Sequence, residues 1–269
     1  MSLVFTTTSC DMDLTPDSAV PEHEALRTID DCDAWVVGIY SAFKNSALYS
    51  GYMTLLPDIQ ADMAYAALNT NNGFYTNIYQ WDIKSTTDEI IAVYNGLYTI
   101  VARCNFFLDY KDQVEVNLKT TADKDNFKKR LGEVYFARAM AYAELIRLFC
   151  EPMTSVNADT ENMGICLPTT YRDDVPKVKR STLRESYNQI ISDLKSAEDN
   201  LPDSRTVADS HYFSKGAVYA LRARIYMYMG MGDLKRDRNN EYLKKSVEAA
   251  TKVIKLGVYE LSDAINNAF

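Results

Sequence analysis

The sequence predicts an all-α fold of stacked helix pairs, and three observations carry that prediction. The segment Gly132-Glu-Val-Tyr-Phe-Ala-Arg-Ala-Met-Ala-Tyr142 returns as Gly216-Ala-Val-Tyr-Ala-Leu-Arg-Ala-Arg-Ile-Tyr226, so G-x-V-Y-x-x-R-A-x-x-Y occurs twice. Self-similarity of this kind marks an architecture built from like units. Each copy is followed by an amphipathic segment with apolar residues at helical spacing: Tyr187, Ile190, Ile191, Leu194 and Ala197, then Tyr242, Leu243, Val247, Ala250, Val253 and Ile254. Small residues inside the first helix, with a partner closing in Ala197-x-x-x-Leu201-Pro202, match the tetratricopeptide pattern. The spacing from Gly132 to Gly216 is not a whole number of such repeats, and the polar stretch 151–179 accounts for the excess. The predicted class is all-α, tetratricopeptide-like helical repeats with long inter-helix loops.

Taken in order, the chain opens with Leu3, Val4 and Phe5, small residues, and then Cys10, like the end of a bacterial lipoprotein signal. Residues 11–21 are polar and helix-averse, which suits a tether. Residues 1–27 are therefore expected to be a signal remnant and tether lipidated at Cys10, the other reading being an irregular start with a chance cysteine. The helical domain is expected over 28–269. Thr28-Ile-Asp-Asp31 caps a helix bearing Trp35, Val36, Ile39, Tyr40 and Phe43, which ends near Asn45-Ser46. A shorter apolar segment covers 55–68, and a loop dense in Asn and aromatics covers 69–82. Thr86-Thr-Asp-Glu89 opens a long helix through Ile90, Ile91, Tyr94, Leu97, Tyr98, Val101 and Phe106.

The first repeat helix spans 131–149. Its apolar residues and alanines cover most of the helical wheel, so it is expected to lie between neighbours. Thr182-Leu-Arg-Glu185 is a capping box for its partner. The second repeat helix runs over 215–229, with Ser214 as N-cap and Gly230 and Gly232 as the stop. Arg138 and Arg222 share one place in the repeat and are read as structural. The stem packs on the neighbouring tyrosine, and the head caps a loop or pairs with a carboxylate.

Composition narrows the function classes. The chain has 29 basic and 37 acidic residues, a pI near 4.9, and no basic cluster beyond Lys128-Lys-Arg130, which argues against nucleic acid. No run of 18 or more consecutive apolar residues occurs, so no membrane-spanning helix is expected. No C-x-x-C is present, which leaves zinc and thioredoxin-type chemistry unsupported; Cys150 and Cys166 bracket one loop and either pair or stay free. The acidic loop 157–164 fails the spacing of a calcium loop. His23 and His211, the two histidines, stand beside no nucleophile, and no P-loop, H-E-x-x-H, G-x-S-x-G or dinucleotide fingerprint occurs. Adjacent acids such as Asp173-Asp174 read as solvated surface rather than a glycosidase pair. The expectation is a binding protein without cofactor, metal or catalytic residue.

Several segments, in order, resemble the SusD-like (RagB/SusD) family of outer-membrane nutrient-binding lipoproteins. They are Cys10 with Leu14-Thr-Pro16, Ile39-Tyr-Ser-Ala-Phe43, and Tyr94-Asn-Gly-Leu-Tyr-Thr-Ile100 with Cys104-Asn105. The two repeat helices, Asp193-Leu-x-x-Ala197-x-x-x-Leu201-Pro202, and Gly257-x-Tyr259-x-Leu261 complete the set. The resemblance implies a cell-surface, lipid-anchored protein that captures oligosaccharides and hands them to a SusC-like TonB-dependent transporter. It also implies that this chain corresponds to the N-terminal portion of such proteins, which is expected to bind carbohydrate weakly or not at all when isolated. One departure is Cys150, where the family usually has Gly.

A sugar site needs an exposed aromatic face flanked by amides or carboxylates. Trp81 with Tyr75, Tyr79, Asn71, Asn72, Asn77, Gln80 and Asp82 has that composition in a loop, where binding residues tend to sit. The alternative is that Trp81 packs under the loop as a lid on the helix that follows. From another functional class, a helical-repeat scaffold holding a protein segment in its concave face also fits the repeats, though it leaves Cys10 without a purpose.

Overall fold

The computed structural model describes residues 21–66, 73–171, 179–206, 208–232 and 238–260. Among these are eight α-helices and one 3-10 turn (Glu22–Glu24), with no strand beyond an isolated antiparallel bridge between Cys166 and Arg180. The helices are α1 (Ile29–Phe43), α2 (Tyr52–Gln60), α3 (Thr76–Tyr79), α4 (Asp88–Glu115), α5 (Thr121–Phe149), α6 (Leu183–Asn200), α7 (Lys215–Met231) and α8 (Asn240–Lys255). Cys10 lies outside the described residues.

Capping chemistry sets the ends of three helices. Thr28 with Asp31, Thr120 with Asp123 and Thr182 with Glu185 form reciprocal capping boxes, each satisfying two backbone donors that would otherwise lack partners. The box at Thr120 starts α5 well upstream of the expected residue 131. Residues 121–130 carry only Phe127 as a large apolar side chain, so no apolar pattern announces this part of the helix. At α4 the N-cap is Thr87, and its hydroxyl accepts from the Lys84 amide (3.0 Å) instead of capping the helix. At the other end of α5, Cys150 is extended (φ −126°), so this stop requires no glycine.

Helix α5 is the hub, packing on α1, α4 and α6. It buries Val134, Phe136, Ala137, Ala139, Ala141, Tyr142, Leu145 and Ile146. By length and composition α4 could cross a membrane. Here Leu97, Ile100, Val101, Cys104 and Phe107 on it are fully buried in the common core. Helix α1 is fastened to α4 by the Trp35 indole N–H donating to Arg103 O (2.9 Å) and by Arg103 Nη1 donating to Gly38 O (2.7 Å). Trp35 also stacks on Phe106 at 4.3 Å.

The sequence repeat is a structural repeat. The motif glycine stands where the chain leaving the partner helix crosses: a Cβ on Gly132 would lie 2.8 Å from Leu201 Cγ, and one on Gly216 would lie 2.4 Å from the Tyr259 hydroxyl. The motif arginines both reach α6. Arg138 grips Asp193 with two bonds (2.8 and 2.7 Å), while Arg222 pairs with Glu198 and donates to Leu194 O (3.0 Å). Each also lies 5.8 Å from the ring of its motif tyrosine, Tyr135 or Tyr219. The copies differ in burial. Helix α7 packs on α8 and α6 but only lightly on α5, so it is half-covered rather than enclosed, and Met227 is exposed. The expected stop at Gly230 falls inside α7, where Leu243 packs against that glycine; Gly232, at φ +55°, ends the helix. Ser214 does not cap α7 with its side chain, because its hydroxyl bonds to Tyr259 (2.9 Å).

No disulfide joins Cys150 to Cys166, so that pairing does not form. In the acidic loop the Asp159 carboxylate is taken by Arg184 (2.6 and 2.9 Å), and the Asn157 side chain closes its own turn on Thr154 and Pro152. Those oxygens therefore do not converge on a common centre. His211 packs against Tyr212 with the rings tilted and their centroids 4.1 Å apart.

Candidate ligand-binding surface

The connection from α2 to α4 is built on a small apolar cluster of its own. Leu56 and Ile59 from α2 and Ile78 from α3 are buried together, and Tyr52, Tyr75, Tyr79, Ile83 and Ile90 pack around them. This cluster holds a one-turn helix, α3, that no periodicity in the sequence announces. The turn after α3 is closed by the Trp81 amide donating to Ile78 O (3.1 Å) and the Asp82 amide donating to Asn77 O (2.9 Å).

Trp81 takes a left-handed backbone (φ +57°) and is 64% exposed, so its ring is not packed beneath the loop. A left-handed conformation costs a non-glycine residue roughly 1–2 kcal/mol. Such a cost persists only where the surroundings impose it, and it often marks a functional position. Tyr75, the N-cap of α3, is also left-handed (φ +60°).

The remaining predicted residues divide into two groups. Tyr75 and Tyr79 turn inward onto the cluster, with Tyr75 edge-on to Tyr52 at 6.1 Å; they support the turn more than they present a face. Asn77, Gln80 and Asp82 are exposed beside Trp81 in the chain, and Asp82 pairs with Lys84 at 3.0 Å. Both members of that pair are well solvated, so it contributes little stability. Asn71 and Asn72 lie outside the described residues.

The sequence reading passed over three exposed apolar side chains on the same connection: Met63 and Tyr65 (each 80% exposed) and Phe74 (67%). Gly73-Phe74-Tyr75 inside an Asn-rich loop was the available signal for the last of these. A cleft of about 390 Å³ opens between α2, the turn at Ile83-Lys84-Ser85, the start of α4 and the end of α5 at Phe149. The arrangement offers a raised aromatic face, amide and carboxylate hydrogen-bonding groups, and an apolar recess.

The strongly perturbed ionisable groups lie elsewhere and have structural causes. Burial pushes Asp193 and Glu133 up, while Arg138 acts against it on Asp193, and Arg130 with Arg205 on Glu133. Burial likewise pushes Tyr142 well above the ordinary phenol range; its hydroxyl donates to Pro168 O (2.6 Å). These groups hold helices and loops together. Among the described residues no group of three or more His, Cys, Asp or Glu side chains is placed to hold a metal.

Residues 12–227 match a family model, SusD-like_3, described as starch-binding associating with outer membrane. A SusD-like protein P2 from Formosa agariphila is 22% identical over 230 residues, which is 85% of this chain and 42% of that protein. The fold superposes on a SusD homolog from Bacteroides thetaiotaomicron with a TM-score of 0.73 at 22% identity, covering 90% of this chain and 43% of that one. A SusD-like carbohydrate binding protein from Bacteroides vulgatus gives a TM-score of 0.66 at 18% identity, with 88% and 47% covered. The chain thus spans less than half the length of these relatives. At such identities the superpositions establish a shared fold, while the family model spans most of the chain, from ahead of α1 into α7, and includes both G-x-V-Y-x-x-R-A-x-x-Y helices. On that match, the chain belongs to the SusD-like family.

Proposed function

We propose that this chain is the part of a carbohydrate-capturing protein of the outer membrane that presents an aromatic platform, Trp81, to an oligosaccharide. A pyranose offers one face of C–H groups, which gains contact by lying on an indole, and a rim of hydroxyls, which need donors and acceptors. The observation that carries the reading is the exposure of Trp81 on a left-handed backbone, held there by α3 and the Leu56–Ile59–Ile78 cluster. A backbone fixed in this way need not be ordered when ligand arrives, which lowers the entropic cost of binding. Asn77, Gln80 and Asp82 supply the hydrogen-bonding rim, with Tyr75 and Tyr79 beneath. In the same reading, lipid on Cys10 tethers the chain to the membrane, and a SusC-like TonB-dependent transporter receives the sugar. The role is binding, without hydrolysis.

The test is calorimetric titration of a neutral oligosaccharide panel against this chain and against a longer form of the protein where one exists, each with and without Trp81→Ala. The substitution should weaken binding by about 1–3 kcal/mol, the range found for bases stacked on aromatic side chains. It should leave the melting temperature nearly unchanged, because an exposed ring contributes little to a core. A large drop in melting temperature with no specific loss of affinity would return Trp81 to a packing role, and release of reducing sugar would overturn the non-catalytic assignment. For the anchor, Cys10→Ser in a form carrying its signal should leave the membrane fraction.

A further inference from the structure

Between Lys44 and Arg103 the chain carries one cation, Lys84, against five carboxylates: Asp58, Asp62, Asp82, Asp88 and Glu89. This interval is the whole of α2, α3, their loops and the first half of α4, and so it contains the Trp81 turn. Lys84 is already engaged by Asp82 at 3.0 Å. Arg103, at the far margin, spends Nη1 on Gly38 O (2.7 Å). The end of α5 at the adjacent cleft carries Arg147, bound to Glu144 (2.6 Å), is followed by Glu151, and is met by Arg180, which donates to Phe149 O (3.0 Å) and Gly164 O (2.6 Å). Pro57 and Gln60, on the same helix as Asp58, line one cleft with Ile83, Lys84 and Ser85, the residues that follow the Trp81 turn.

From this distribution, and resting on the reading of Trp81 as a sugar platform, we infer that the surface takes uncharged glycans and rejects those bearing uronate or sulfate groups. The physical reason is twofold. Carboxylates accept hydrogen bonds from hydroxyls, which a neutral sugar supplies in abundance, whereas an anionic substituent brings acceptors to cations that already hold other partners: Lys84 on Asp82, Arg147 on Glu144 and Arg180 on Phe149 O. The field of a carboxylate also extends about 8 Å at physiological ionic strength, so the acids need not touch a sugar to act on it. Like charges placed together at an interface disfavour the wrong partner more than they strengthen the right one.

The experiment uses matched pairs. Gluco-, galacto- and manno-oligosaccharides are titrated alongside the same oligomers oxidised at C6 to uronates, so that the backbone and linkage are constant and only the charge differs. For whichever neutral oligomer binds, the oxidised partner should bind about tenfold more weakly or worse, and the gap should shrink as salt is raised. The double variant Asp58→Asn, Asp62→Asn should narrow the gap by strengthening the binding of the oxidised oligomer; Asn tolerates the left-handed backbone at position 62 (φ +57°). An oxidised oligomer bound as tightly as its neutral parent, with binding abolished by Trp81→Ala, would overturn this inference alone. If no oligomer of either kind binds, or if Trp81→Ala leaves binding intact, the platform reading itself fails and this selectivity falls with it.

Discussion

Removing Arg138 should be among the most destabilising single changes in this protein. The guanidinium makes four hydrogen bonds: two to Asp193 (2.8 and 2.7 Å), one to Asn105 Oδ1 (2.8 Å) and one to Thr169 O (3.3 Å). The ion pair is buried, with side chains 6% and 2% exposed. Burial raises the Asp193 carboxyl, and the bidentate guanidinium opposes that; Arg138 for its part is held protonated by the pair. With both bonds this short, the pair is charged at neutral pH. Arg138→Met keeps much of the stem's volume but strands a buried carboxylate, which costs about 3–5 kcal/mol. It also leaves Asn105 Oδ1 without this donor, at about 1–3 kcal/mol if no other replaces it. In a protein of this size the carboxylate loss alone corresponds to a fall in melting temperature of roughly 6–20 °C. Asp193→Leu alone should cost a similar amount, because it strands the cation instead. The double variant should lie much closer to wild type than the sum of the singles, since replacing both ions with apolar groups removes the desolvation cost as well as the attraction. Urea unfolding followed by circular dichroism gives all four corners of the cycle. Single variants costing under about 1 kcal/mol, or a double variant equal to their sum, would refute the coupled buried pair.

Three further outcomes are expected. Gly132→Ala forces a Cβ to within 2.8 Å of Leu201, which is itself buried, and should cost about 1–3 kcal/mol in urea unfolding. Gly216→Ala meets the half-exposed Tyr259, which can swing away, so it should cost less, and the reverse order would contradict the packing described. Glu198 is lowered below its ordinary value of 4.5: burial opposes ionisation, but hydrogen bonds from Arg222 and Tyr219 outweigh it. A depressed carboxyl contributes stability that is present above the unfolded value and lost as pH falls through the folded one. Glu198→Gln should therefore flatten the stability profile below about pH 4.5, and an unchanged acid limb would count against the pair. Trp81→Asn substitutes a residue that adopts the left-handed region more readily, so it should hold the melting temperature to within about 2 °C while removing the platform; a larger drop would show that the ring has a packing role.

What could be read from the sequence was whatever is local or repeated. The structural role of the motif arginine and the capping boxes at Thr28 and Thr182 are specified by residues a few positions apart or by recurrence, whereas the chain crossing over each motif glycine was not legible. Burial was less legible, because it belongs to the neighbours as much as to the helix. The same eleven-residue pattern gives an enclosed α5 and a half-covered α7, since α1 and α4 flank only the first. The start of α5 was hidden because its first turns face solvent and carry no apolar period. The candidate surface lies wholly outside the repeat, on a segment where α3 is a single turn, too short for any periodicity to show. Composition alone drew attention to Trp81 and its polar companions. It could not show that Tyr75 and Tyr79 face inward onto Ile78, nor that three exposed apolar side chains stand nearby in the chain, because both depend on how α2 and α4 close around four helical residues. The repeat thus builds a scaffold from self-consistent local contacts, and the surface with the most binding character sits where that regularity stops and backbone torsions at Tyr75 and Trp81 depart from it.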